Sequence, residues 1–303
     1  MHRMRQMSFY KYVTSETLDK ILNGSIRLTQ PSGFNDPFEL SMEVFDPYGL
    51  NDGARNFSFD VLHPRRDISK YLVDRDFSHD NCNDSFSRKV VKQLNEAIGI
   101  LCLSKNEESH LMWAHYADSY RGAVIEFDSN HEFFKGAIEV NYVDERPKLH
   151  IDYFLESDPI PVSELCSKSE VWSYEKEWRI IRSLRDCTSH KAKKGQLPIC
   201  VMNLPLEAIK CVTLGERSSL DTVRKTLSKL KETNIEIKLA AIDFWKYKFR
   251  YEPVKFNRPI SEAAFLITPR TADLYINAGG QIGKLAKWMK EEHPFAELAN
   301  SRL

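Results

Sequence analysis

No stretch of the chain reaches the roughly 18 consecutive apolar residues that a membrane-crossing helix needs. The opening segment MHRMRQMSFYKYV carries a few basic residues but neither an apolar core nor a small-residue cleavage site. A secretory leader is therefore not expected, and the expectation is a cytoplasmic protein without a membrane partner. Charge of one sign is also missing. Lys plus Arg and Asp plus Glu both number 43, giving a formal net charge of zero. That balance excludes a whole-surface field for nucleic acid and leaves room only for a local basic patch. The 6 cysteines form no C-x-x-C pair and none stands at zinc-finger spacing from a histidine. Cys102, Cys200 and Cys211 lie in apolar runs and read as small, reduced core residues. No metal is expected, and neither an internal repeat nor a low-complexity tract occurs.

What is present is ordinary globular material. Of 303 residues, 42% are hydrophobic and 28% charged, enough to build a core without disulfide or metal staples. The run SFYKYV reads as a strand, followed by Thr14 as the N-cap of a helix through Leu18, Ile21 and Leu22 that Gly24 stops. IRLT is a second strand, and QPSGFNDPFE a turn-rich loop. Residues from about 46 to 83 form a polar insertion, and DSFSRKVVKQLNEAI is a helix with Asp84 as its cap. GILCLS is a buried strand, HLMWAHYADSY a helix, and GAVIEFD and IEVNYV are strands. YEKEWRIIRS alternates strictly and is assigned as one strand. LPICVMNL and IKCVTLG follow as strands. Helix SSLDTVRKTLSKLKETN, capped by Ser218 or Ser219, leads to strand IEIKLAAID. The stretch QIGKLAKWMKEEHPFAEL is a helix interrupted at Pro294. These elements point to an α+β fold with central mixed or antiparallel sheets and flanking helices. The expected division is one domain over 1–255, with a β-α-β extension over about 208–245, and a helical extension over 256–303.

Several residues are poorly explained by packing. Strand alternation puts Arg27 opposite Ile26 and Leu28, facing either solvent or a cleft where its guanidinium suits a diphosphate or carboxylate. In Phe34-Asn35-Asp36-Pro37-Phe38-Glu39, Asn35 and Asp36 are good turn formers. Two phenylalanines and Glu39 around that turn also describe one wall of a ligand pocket. On a continuous strand, Glu175, Glu177 and Arg179 share one face, where a carboxylate can orient a hydroxyl or stabilise a cationic transition state. The helix near 113 adds Trp113, His115 and Tyr116, with His115 either a packed histidine or a catalyst. Ser104 is either a helix cap or a site hydroxyl.

Three blocks, F-N-D-P-F-E, W-A-H-Y-A-D-S-Y-R-G and Y-E-K-E-W-R, occur in the order seen in a widespread bacterial family of unassigned function, which the chain resembles over roughly residues 8 to 250. A weaker resemblance is to the ADP-ribosyltransferase superfamily, through the first aromatic strand, the helix Leu18 to Gly24, a strand ending in Ser104, and the E-x-E of Glu175 and Glu177. This second resemblance implies NAD as substrate, with Glu177 as the catalytic carboxylate and Glu175, Ser104 and His115 beside it. It implies that Tyr12 or Tyr116 stacks on nicotinamide and Arg27 holds the diphosphate, with Asn35, Asp36, Glu39, Trp113 and Arg179 completing a nucleotide site. Cleaving the nicotinamide bond builds oxocarbenium character, which a carboxylate stabilises. The leading expectation is thus an ADP-ribosyltransferase-like enzyme of bacterial conflict, modifying a protein or nucleic-acid acceptor. The alternatives are a metal-dependent nuclease or phosphodiesterase using Asp36, Glu39, Glu175 and Lys176, and a non-enzymatic ligand-sensing or partner-binding module.

Overall fold

A computed structural model describes residues 8–45, 90–150, 160, 162–191, 196–262 and 266–297. The expected insertion over 46–83 and the Asp84 cap lie outside them. The chain forms two compact units. The first takes residues 1–24, 106–133 and 204–303, and the second takes 25–105 and 134–203. Strands and helices coexist in both, as the α+β reading requires.

In the first unit, strand Ser8–Val13 pairs antiparallel with Ala123–Asp128, which pairs antiparallel with Ile209–Leu214. The last runs parallel to Glu236–Ile242, and helix Leu220–Leu230 makes the crossover that parallel strands need. This is the β-α-β extension expected over 208–245. A strand not read from the sequence, Phe249–Lys255, closes that edge antiparallel to Glu236–Ile242. The helix caps follow local chemistry. Thr14 Oγ1 accepts from the Thr17 amide, Ser109 from Met112, and Ser219, of the two candidates, from Thr222. Helix Gly280–Glu291 ends before Pro294, whose ring cannot follow a helical turn.

The second unit pairs Ile98–Ser104 antiparallel with Glu177–Ser183, which also pairs with Ile138–Glu139. Strand Ser25–Leu28 pairs with Ile199–Asn203. Its alternation is as read: Ile26 and Leu28 are buried and Arg27 is exposed. A core of Leu40, Met42, Leu94, Ile98, Ile100, Leu149 and Leu165 fills this unit. Two strand readings need correction. IEVNYV breaks at Val140, whose amide donates to the Glu177 carbonyl at 2.9 Å, leaving Ile138–Glu139 and Asn141–Val143 in separate sheets. YEKEWRIIRS is a strand only from Glu177. Residues Glu170–Glu175 form a 3-10 helix, and Lys176 turns through a left-handed conformation at φ 45°. Alternating polarity at Tyr174, Glu175 and Lys176 mimics a strand, but those positions are a turn whose Lys176 amide bonds the Ser173 carbonyl at 3.2 Å.

No helix among the described residues is long and apolar enough to cross a membrane. Cys166, Cys200 and Cys211 are buried free thiols, and Cys102 is half-buried.

Gly122 is required by close approach rather than by flexibility. A methyl group there would lie 2.0 Å from the Val13 carbonyl oxygen and 3.0 Å from the Thr14 Cα. Backbone cannot retreat as a side chain can, so Gly122→Ala is expected to lose about 1–3 kcal/mol of stability in urea denaturation. An unchanged midpoint would contradict this packing.

Candidate functional site

The second unit contains a charged cluster closed to solvent. Lys168 lies in the short strand Ser167–Ser169, which runs parallel to Asn141–Val143 with Tyr142 beside Lys168. Its Nζ stands 2.6 Å from Glu175 Oε2, 2.9 Å from Glu177 Oε2 and 3.8 Å from Glu39 Oε2. Arg179 is fully buried. Its Nε donates to Glu177 Oε1 at 2.9 Å, its Nη1 to the Leu165 carbonyl at 2.8 Å, and its Nη2 to Glu39 Oε1. The guanidinium also lies over the Phe34 ring, 5.7 Å from its centre. The side chains of these five ionic residues are at most 5% exposed, so the cluster meets a low dielectric in which every charge must be matched.

Local structure explains how the chain delivers these groups. Asp36 Oδ1 accepts the Phe38 amide at 2.9 Å, and the Asp36 carbonyl accepts the Glu39 amide at 3.2 Å, a turn that swings Glu39 inward. The left-handed Lys176 breaks the strand, so Glu175 and Glu177 reach Lys168 from a turn and a strand rather than from one strand face. Ser104 Oγ donates to the Glu175 carbonyl at 2.5 Å and fixes that turn, while Ser109 caps the next helix. Ser104 is therefore not the helix cap, and its hydroxyl is engaged with the Glu175 backbone carbonyl. The Tyr142 hydroxyl accepts the Glu177 amide at 2.8 Å.

Three carboxylates face two cations. Burial raises the Glu177 carboxyl above its ordinary value, with Lys168 opposing the shift. Burial alone would depress Lys168, but Glu177 and Glu175 outweigh it and hold the ammonium above its usual range. Burial pushes Arg179 down to about 9, which leaves it charged at neutral pH. Burial, then Glu177, pushes the Cys166 thiol up to about 12, so it is no nucleophile here.

A pocket of about 330 Å³ opens beside the cluster, lined by Glu39 and Lys168 and walled by Phe38, Arg146, Val171 and Trp172. Lys168 Nζ lies 5.1 Å from the centre of the Trp172 ring, and Arg146 sits over Phe38 at 5.7 Å. Glu39 Oε2 is buried and accepts no hydrogen bond among the described residues.

The expected site residues thus fall into groups. Glu39, Glu175, Glu177 and Arg179 come together around Lys168, with Ser104 behind them and Asp36 in the pocket wall. Arg27 and Asn35 are exposed in the same unit. Tyr12, Trp113, His115 and Tyr116 belong to the other unit. There Trp113 is fully buried, its ring 5.6 Å from Tyr12, 6.2 Å from Tyr120 and 5.8 Å from Phe249. The Tyr12 hydroxyl donates to the Asn106 carbonyl at 2.9 Å and accepts the Ser109 amide at 3.1 Å. His115 is exposed and Tyr116 half-buried. Lys168, Tyr142 and Trp172 were not singled out from the sequence. Lys168 carries no periodic signal, because its partners lie 7, 9 and 129 positions away along the chain. Among the described residues no group of three or more His, Cys, Asp or Glu is arranged to hold a metal ion. Of the residues weighed for metal chemistry, Glu39 and Glu175 face Lys168 and Arg179, and Lys176 is exposed.

The comparisons with known proteins add one match. Residues 112–180 match the model of a protein family of unknown function, DUF2971. The matched stretch holds the Trp113–Tyr116 block and runs through Lys168, Glu175, Glu177 and Arg179, whereas the Phe34–Glu39 block lies outside it. No curated protein and no solved structure matches the chain.

A carboxylate with a raised value in the folded state contributes stability that is complete below its ordinary value, 4.5, and is lost as pH rises through the raised value. Glu177→Gln removes that dependence. The melting temperature of the native protein relative to Glu177→Gln is expected to be highest near pH 4.5 and to fall towards neutral pH. A difference independent of pH would show that Glu177 titrates normally.

Proposed function

We propose that the second unit is a receptor for a small polar molecule, bound in the pocket that Phe38 and Trp172 wall and that Glu39 and Lys168 floor. The observation that carries this reading is Glu39 Oε2, a buried carboxylate oxygen with no hydrogen-bond donor among the described residues, beside an open pocket. Leaving such an acceptor unmet costs about 1–3 kcal/mol, more for a charged group, and a ligand N–H or O–H would recover it. Pocket size, aromatic walls and a few convergent polar groups are those of a small-molecule site.

A second reading is that the bound molecule is NAD and that the chain breaks its nicotinamide bond, in the manner of ADP-ribosyltransferases. It is favoured by the stacked carboxylates Glu39, Glu175 and Glu177, since a carboxylate held in a low dielectric stabilises a developing oxocarbenium ion strongly. Here Glu39, which lines the pocket, would face the substrate, and Glu177 would act through Lys168 and Arg179. The acceptor would be a protein or a nucleic acid.

One panel separates the readings. NAD, ADP-ribose, nicotinamide, agmatine, spermidine and magnesium chloride are added in turn to the native protein and to Val171→Trp, a bulky change at an exposed position of the pocket wall. Melting temperature and nicotinamide release are followed together. The expected result is that at least one compound raises the melting temperature of the native protein by a few degrees and fails to do so in Val171→Trp. Identical shifts in both proteins would contradict the pocket reading. Nicotinamide release would add the enzymatic reading, and NAD binding without release would remove it.

A further inference from the structure

The charge count of the cluster points to the kind of molecule that fits. Among the described residues, Glu39, Glu175 and Glu177 stand against Lys168 and Arg179, so these five side chains carry one positive charge fewer than neutrality needs. The shortfall has a location. Both oxygens of Glu177 meet Lys168 or Arg179 at 2.9 Å, Glu175 Oε2 meets Lys168 at 2.6 Å, and Glu39 Oε1 is held by Arg179. Glu39 Oε2 has only the long 3.8 Å ion pair with Lys168 and no hydrogen bond among the described residues. Its residue is more than nine-tenths buried and lines the pocket.

The pocket lining continues the same sign. Asp36, Asp144, Glu145 and Glu164 join Glu39 there, against Arg146 and Lys168 alone. Both cations are already engaged. Lys168 belongs to the buried carboxylates, and Arg146 donates to Ser41 Oγ at 3.1 Å while lying over the Phe38 ring. Among the described lining residues, an entering phosphate would meet an acidic rim and two cations that already have partners. An entering ammonium, guanidinium or pyridinium would meet the carboxylate oxygen of Glu39 beside the rings of Trp172 and Phe38, each of which already has a cation, Lys168 or Arg146, against it.

We propose that this pocket selects a small organic cation, whose N–H group donates to Glu39 Oε2 and completes the charge balance of the buried cluster. The inference rests on the pocket reading and goes beyond it by naming the ligand class. If the ligand is larger, its cationic part is the one that enters, and any anionic part stays outside the Glu39 wall.

The test compares cations with an anion of similar size. Agmatine and spermidine, each titrated against the full-length protein by calorimetry, are expected to bind, with affinity falling as salt rises. ADP-ribose is expected to bind at least tenfold more weakly. Glu39→Gln keeps the hydrogen-bonding shape towards Arg179 and removes the charge, and it should weaken agmatine at least tenfold. Should that variant not fold, the exposed rim pair Asp144→Asn with Glu145→Gln provides the reading, and a several-fold loss is expected. Equal agmatine affinity in folded Glu39→Gln, or in the rim variant, would overturn the proposal. Pocket-dependent binding of ADP-ribose with no binding of either cation would also overturn it while leaving the pocket reading intact. Failure of every probe to distinguish the native protein from Val171→Trp would remove the pocket reading itself.

Discussion

The ammonium of Lys168 is the contact on which the second unit turns. A lone cation taken out of water is unfavourable by several kcal/mol, and so is each carboxylate, so neither can be buried without the other. Around Lys168 the chain brings a turn (Glu39), a 3-10 helix (Glu175) and a strand (Glu177) to within 3.8 Å of one nitrogen. Arg179 then ties two of these carboxylates, Glu39 and Glu177, to the Leu165 carbonyl and to the ring of Phe34. Segments that also share the core of Leu40, Met42, Leu165 and Ile181 are thereby fixed in position, because separating any one strands a buried charge. Such a cluster adds less net stability than a well-packed apolar core of the same volume. What it supplies is a defined arrangement, and it leaves one face of Glu39 turned to a pocket.

That arrangement links the fold to function. The ordinary route to an empty carboxylate site is an exposed cluster that water and salt screen. Here the carboxylates are held by buried partners, so Glu39 Oε2, which has no hydrogen-bond donor among the described residues, cannot rotate away to find water. Preorganisation of this kind strengthens whatever interaction a ligand makes and costs little reordering on binding. In the first unit, by contrast, Trp113 is fully buried, with the rings of Tyr12, Tyr120 and Phe249 against it.

The sequence made much of this visible, for identifiable reasons. Short-range rules worked: the Thr14 and Ser219 caps, the alternation of Ile26, Arg27 and Leu28, and the β-α-β pattern from Ile209 to Ile242 are decided by neighbours within a few residues. Glu39, Glu175, Glu177 and Arg179 stood out in the sequence because charged residues lay in apolar or turn-rich settings, and the structure brings them together. Their true geometry was not legible. Alternation at Tyr174, Glu175 and Lys176 suggested a continuous strand, whereas the left-handed Lys176 puts the two glutamates on different elements that converge on one ammonium. Lys168 itself was invisible, since nothing within ten residues marks a lysine whose environment includes Glu39. The strand Phe249–Lys255 was missed because Arg250, Glu252, Pro253 and Lys255 break up its apolar pattern.

The most direct measurement is the unfolding free energy of Lys168→Met, a change that keeps an unbranched side chain one atom shorter and removes its charge. If the buried cluster organises the second unit, three carboxylates are left with Arg179 alone, and stability should fall by about 3–5 kcal/mol, with partial recovery at acid pH as carboxylates take up protons. A variant as stable as the native protein at neutral pH would contradict the account, because it would mean that the carboxylates around Lys168 do not depend on its charge.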